Sequence, residues 1–247
     1  MRLWRTIAEL LRCNFVKTVT FNFKMLPLKQ ALRLPVYFYG KVDLRSLKGR
    51  VKINHTLYPG MIKIGIKTKY VDTQVSNSRW TVNGLIVFNG PLEMARGSYV
   101  LVAEGATLTL GTDRSFYGSN LKIFCFNRIT VGNCVRITWE CQIYDTSFHY
   151  LELVDKNNEV RPLQGEVFIG DRVWIGNRTT VSKGAFIPSD TIVASNSLVN
   201  KSFREIEPYG LLAGCPAVLK GTGLKRVFDR NYEAELDKQF GYHRTFL

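Results

Sequence analysis

The chain lacks any long apolar run. Its apolar stretches are short and broken by Lys or Arg, so none reaches the roughly 20 residues that an α-helix needs to cross a bilayer. The N-terminal MRLWRTIAELLRCNF has no uninterrupted apolar region and no small-residue cleavage site, so it does not read as a signal peptide. Cysteine is sparse. Cys13, Cys125, Cys134, Cys141 and Cys215 are odd in number, irregularly spaced and without a CxxC pair. That argues against a disulfide framework or a thiolate metal site, and for a reducing, cytoplasmic setting. Histidine is rarer still: His55, His149 and His243 are far apart. A glycine-rich phosphate loop of the Walker or dinucleotide type is absent.

Acidic residues are also in deficit, 20 against 34 Lys and Arg, for a net charge of +14. Residues 1–52 hold twelve Lys or Arg against Glu9 and Asp43, so +10 of that charge is N-terminal. Trp4, Leu10, Phe15, Phe21, Phe23 and Leu26 interleave with the basic residues there. A solvated basic surface is one reading, since net charge speaks to association rather than fold. Contact with a membrane surface or a lipid-linked substrate is the other. Nucleic acid has no motif behind it and is not expected. With 45% hydrophobic and 22% charged residues over 247 positions, a substantial core can still be buried, in one domain or one plus an appendage.

What the chain does have is a six-residue period. Ile169, Ile175, Val181, Ile187, Val193 and Val199 recur at every sixth position. Four places after each stand Val173, Thr179, Ala185, Thr191, Ser197 and Phe203, all small or β-branched except the last. A helix needs apolar spacings of three and four, and a simple strand needs two. A period of six satisfies neither. It fits short strands joined by tight turns, three hexads closing one triangular coil and coils stacking at roughly 4.8 Å. An earlier coil lies at Val131, Ile137 and Ile143, with Val135, Cys141 and Ser147 four places on. VKINHTLYPGMIKIG at 51–65 and LVAEGATLTLG at 101–111 have strand character without clean register, so less regular coils are expected from about residue 42.

IGDRVWIGNRTTVSKGAFIPSDTIVASNSLVNK followed by LLAGCPAVLK resembles the C-terminal half of hexapeptide-repeat acetyltransferases, the group that includes galactoside, xenobiotic and capsular or O-antigen sugar acetyltransferases. The resemblance is good over 129–221 and general before that. It implies an all-β, left-handed parallel β-helix, a homotrimer with shared active sites, and acetyl-coenzyme A as co-substrate without a metal. The expected organisation is a basic and aromatic extension over 1–41, the β-helix over 42–223 with a loop at 150–168, and a C-terminal helix over 224–247. In that tail Leu224, Phe228, Tyr232, Leu236 and Phe240 recur every fourth residue, as one helix face does.

Chemistry is expected where the repeat breaks. The register 131, 137, 143 calls for an aliphatic residue at 149, and His149 stands there, after which the hexads stop until 169. A polar residue in an apolar slot, followed by a long excursion, marks a functional site; a corner histidine satisfied by the backbone is the plain alternative. IYDTSFHY resembles the family segment ending in the catalytic histidine, which implies that His149 is the general base. Asp145, four residues earlier, either orients His149 or binds acceptor, or caps a turn; Glu140 is a weaker candidate. Cys141 falls in a core slot and reads as packing. For the donor, the resemblance implies Trp174, Gly176, Asn177, Ser195, Asn200 and Lys201. It also implies Gly214 and Pro216 of the AGCPA segment, beside which Val218 stands where the family often has a basic residue. Lys220 is the nearest substitute. The acceptor implied is a sugar hydroxyl in a lipid-linked or surface glycan, with N-acetylation of an amino or nucleotide sugar second. The same β-helix also carries zinc carbonic anhydrases, against which three scattered histidines argue. A non-catalytic scaffold is the remaining class.

Overall fold

The computed structural model of the chain describes residues 12–68, 77–113 and 115–242. Within them, apart from one two-stranded hairpin, the strands form three sheets of nine, seven and six members, in which every non-consecutive neighbour is one coil away. Each coil contributes one strand to each face, and the lateral pairs along the stack are parallel. The architecture is therefore a parallel β-helix of hexapeptide coils, as the repeat requires.

The helix opens at Val36–Phe38, earlier than the expected start near 42. His149 belongs to the fifth coil, whose strands are Arg136–Ile137, Gln142–Tyr144 and Glu166–Ile169. Trp174–Ile175, Thr180–Val181 and Phe186–Ile187 make the sixth. Ile192–Val193 and Leu198–Val199 begin the seventh. The stack closes with an antiparallel hairpin, Leu211–Gly214 against Ala217–Gly221.

Only the last coils keep the strict period: Trp174 pairs with Ile192, eighteen residues on. Phe116 pairs with Arg136 at a distance of twenty, and Ser115 with Leu92 at twenty-three. The early strands are longer and each sends two side chains inward, as in Ile86 with Phe88 and Leu108 with Leu110. Their alternation of two masks the period of six. The wider coils enclose the bulkiest core residues, including Trp80, Phe88, Met94 and Tyr117.

Tight corners require left-handed backbone, and here non-glycine residues supply it. Asn120, Glu140, Arg178 and Asn196 at the first corner, and Asp113, Cys134, Arg172 and Asp190 at the third, have φ between 54° and 61°. This region is sparsely used by L-residues. Stacking compensates: the N–H groups of Glu140, Arg178 and Asn196 donate to the carbonyls of Ser119, Trp139 and Asn177 one coil below, at 2.8, 3.1 and 2.9 Å. Ion pairs then join successive corners. Arg178 meets Glu140 at 2.8 Å, and Arg172 holds Asp190 through two bonds of 2.7 Å. Glu140 is thus a structural partner.

The open base of the first coil is sealed by helix α1, Phe15–Met25, and the short helix α2, Leu28–Ala31. Phe21 is fully buried and meets Phe38 and Trp80 edge-on at 5.0 and 6.0 Å. Asn22 acts as a surrogate strand. Its amide donates to the carbonyls of Thr18 and Val36 at 2.8 and 2.7 Å and accepts from the Val36 N–H at 3.2 Å. The Thr18 hydroxyl accepts from the Phe38 N–H at 3.0 Å. Some of the aromatic and aliphatic residues that interleave with the basic ones are therefore core. Phe21, Met25 and Leu26 are buried, while Phe15 and Phe23 stay exposed and Trp4 and Leu10 lie outside the described residues.

The C-terminal helix, α3, is shorter than the repeat in the tail implies. It spans Arg230–Gln239, with the Asp229 carboxylate capping the N–H groups of Asn231 and Tyr232. Leu224 and Phe228 precede it, and none of its residues is buried. The tail instead grips the β-helix through Arg226, whose guanidinium lies 5.5 Å from the Trp174 ring and 4.9 Å from that of Phe228.

Candidate active site

The fifth coil leaves its second face at Tyr144 and does not reach the third face until Glu166. Between them the chain runs out into an arm, a two-stranded antiparallel hairpin of Leu151–Leu153 and Glu159–Arg161 closed by a 3₁₀ turn at Val154–Lys156. The arm is zipped shut at its root. Thr146 bridges Gln164, the Ser147 N–H donates to the Leu163 carbonyl at 2.9 Å, and the Gly165 N–H donates to the Asp145 carbonyl at 2.8 Å. The excursion thus replaces a single corner, and the coil resumes in register with Val131 opposite Ile169.

Of the readings open for Asp145, orienting His149, binding acceptor or capping a turn, its hydrogen bonds are those of a turn cap. Its side chain is buried, and its two carboxylate oxygens accept from the N–H groups of Phe126 and Asn127 at 2.7 and 2.8 Å. It ties the corner of the fifth coil to that of the fourth. Burial pushes its carboxyl above the usual carboxylate range, and the backbone donors of Phe126 and Asn127 only partly offset that. Cys141 is core as expected: it is buried, its thiol donates to the Gly176 carbonyl at 3.2 Å, and burial raises its pKa to about 11.

His149 sits just after this anchored corner and is exposed. Among the described residues its ring has no hydrogen-bond partner, so the backbone-satisfied corner histidine is not what is found. Ser147 and Phe148, immediately before it, line a cavity of about 570 Å³ on the second face. Lys183 and Asn200 enter the same cavity from the next two coils, and Arg161 from the arm. Phe148 adopts φ 61°, rare for a bulky residue, and is 48% exposed. Its ring packs against Phe124, Phe126 and Tyr144 at 6.1, 5.7 and 6.0 Å. Lys183 is steered by a 2.6 Å bond from its ammonium to the Pro162 carbonyl at the foot of the arm. Asn200 was expected at a donor position, whereas Arg161 and Lys183 carry no signal in the linear sequence. They align only once the register across the excursion, in which Gln142 faces Thr180, is known.

The expected donor residues fall on separate corners of one chain. Asn200 and Lys201 share the second corner with His149, and the Lys201 ammonium lies 5.3 Å from the Phe203 ring. Gly176, Asn177 and Ser195 stack at the first corner, with the Ser195 hydroxyl donating to the Asn177 side chain at 2.7 Å. A Cβ on Gly176 would come within 2.4 Å of the Ser195 nitrogen, so close stacking of corners requires glycine there. Gly214 joins this column through its N–H, which donates to the Ser197 hydroxyl at 3.3 Å. Pro216 follows a cis peptide bond at the exposed tip of the closing hairpin, and Lys220 is exposed on its second strand. Trp174 stands apart. It lies on the first face beneath Arg226 and does not line the cavity near His149. The described residues contain no group of three or more His, Cys, Asp or Glu arranged to hold a metal ion.

No family model matches the chain. Among curated proteins it is 41% identical over 66 residues to a probable macrolide acetyltransferase of Lysinibacillus sphaericus, covering 27% of this chain and 35% of that one. It is 28% identical over 118 residues to the galactoside O-acetyltransferase of Escherichia coli (strain K12), covering 47% and 55%. It is 25% identical over 210 residues to an uncharacterized 24.8 kDa protein in the cps region of Klebsiella pneumoniae, covering 85% of each. The chain spans only about a third of the macrolide acetyltransferase and about half of the galactoside enzyme. In repeat, fold and sequence alike, what this chain resembles is a hexapeptide-repeat acetyltransferase.

Proposed function

We propose that the protein is an acetyl-coenzyme A-dependent O-acetyltransferase acting on a sugar hydroxyl, with His149 as general base. The observation that carries this reading is the setting of His149: an exposed imidazole without a partner among the described residues, at the root of the arm and next in chain to Ser147 and Phe148, which line a cavity. The acceptor hydroxyl is a poor nucleophile until its proton is removed, and an imidazole is suited to take that proton near neutral pH. The acceptor oxygen then attacks the thioester carbonyl, the carbon–sulfur bond breaks, and the proton passes from the imidazolium to the departing thiolate. No acyl-enzyme is needed, in keeping with the inert, buried Cys141.

The split of donor residues between two corners supports an active site shared between subunits of a homotrimer, in which a coenzyme A arm spans both corner columns. The exposed apolar side chains of the arm, with Val154 at 80%, suit contact with a neighbouring subunit. A glycan acceptor is supported by the name of the galactoside relative, and a surface glycan by the cps-region relative. N-acetylation of an amino or nucleotide sugar is the second reading, since the base chemistry is the same for an amine.

Turnover of acetyl-coenzyme A against a panel of sugars and nucleotide sugars tests the assignment. His149→Ala is expected to lower kcat by at least about 100-fold, the usual contribution of a general base, with folding and coenzyme binding retained. Unchanged turnover in that variant would sink the role of His149. Failure of the parent chain to bind or turn over the coenzyme would favour a scaffold.

A further inference from the structure

We propose that the outer side of the N-terminal cap docks on an anionic lipid surface. Helix α1 spends one face on the base of the β-helix, burying Thr18, Phe21, Asn22 and Met25. The opposite side holds Val16 and Phe23, both exposed, with Val16 at 69%, and the exposed Lys24 stands beside Phe23. In and just after α2, Leu28 and Leu32 stand one turn apart at 65% and 66% exposure, beside the exposed row of Lys29 and Arg33. Apolar side chains are thus held outward in pairs, each flanked by a cation.

Charge decides what such a surface meets. From residue 10 to residue 42 the sequence contains six Lys or Arg and no Asp or Glu. A second copy of the same patch would bring like charge against like charge. A nucleic acid would satisfy the cations and leave Leu28 and Leu32 in water. A bilayer bearing anionic headgroups satisfies both, with phosphates for the cations and the acyl boundary for the apolar rows. No helix among the described residues is long and apolar enough to cross a membrane, so the contact is with a surface. The cap seals the first coil and His149 lies in the fifth. Four coil spacings of roughly 4.8 Å would therefore place the site about 19 Å above the first coil, with the thickness of the cap between that coil and the lipid.

Co-sedimentation of the full chain with vesicles tests this independently of catalysis. The expected result is binding to vesicles of about three parts phosphatidylcholine to one of phosphatidylglycerol, weakened by salt, and none to phosphatidylcholine alone. Leu28→Ser with Leu32→Ser, and separately Lys29→Glu with Arg33→Glu, are each expected to weaken binding at least about tenfold without moving the unfolding midpoint, because all four side chains are exposed. Equal binding to both vesicle types, no binding to either, or parent-like binding by both variants overturns the proposal. So does a variant that changes the sedimenting mass of the protein while vesicle binding stays unchanged, which would assign the patch to a second copy.

Discussion

At the residue scale, Asp145 and His149 look alike in sequence, two polar side chains four positions apart at a break in the repeat. The structure separates them by hydrogen bonding. The Asp145 carboxylate is buried and holds two backbone N–H groups, whereas the His149 ring is exposed and has no hydrogen-bond partner among the described residues. Asp145→Ala removes the acceptor of both part-buried donors and is expected to cost about 1–3 kcal/mol in all, read from urea unfolding. The pH dependence has a definite sign. Because burial raises the folded pKa of this carboxyl, its contribution to stability is full below the unfolded value and declines as pH rises through the folded one. The gap between parent and variant should therefore be wider near pH 4 than at neutrality. A gap that widens with pH would mean that the two backbone bonds outweigh burial.

At the element scale, the arm and the cap are opposites. The hairpin of Leu151–Leu153 and Glu159–Arg161 buries none of its side chains, and its root is closed by bonds between 145–147 and 163–165. Replacing 150–162 with a short Gly-Ser turn should leave stability within about 1 kcal/mol while lowering acetyl transfer at least about tenfold. Retained activity would remove the arm from the site. The cap, by contrast, bonds to the core through Asn22. Asn22→Ala strips the Val36 N–H and carbonyl of their partners at the edge of the first coil. A loss of about 1–3 kcal/mol is expected in denaturant unfolding. Such roles were illegible in the sequence, where Asn22 is one polar residue in a basic, aromatic run. Its meaning depends on Val36 opening the first coil, and that strand lies ahead of any visible repeat.

At the scale of the whole molecule, sedimentation equilibrium is expected to give a species of three chains, because the residues proposed to bind the donor occupy two corner columns that one chain does not bring together. A monomer with full activity would require the site to lie within one chain. The strict hexads from 169 to 203, and with them the β-helix and the anomaly at His149, were determined by the sequence alone. A period of six admits no other regular backbone, and a break in it is visible without coordinates. The start of the helix at Val36, the anchoring of Asp145, the cavity beside Phe148 and the placing of Trp174 under Arg226 were decided only by tertiary structure. These depend on which residues stack across coils whose lengths vary from eighteen to thirty-eight residues between paired positions. Stacking register is a sum over every excursion in the chain, and a local pattern carries no record of that sum.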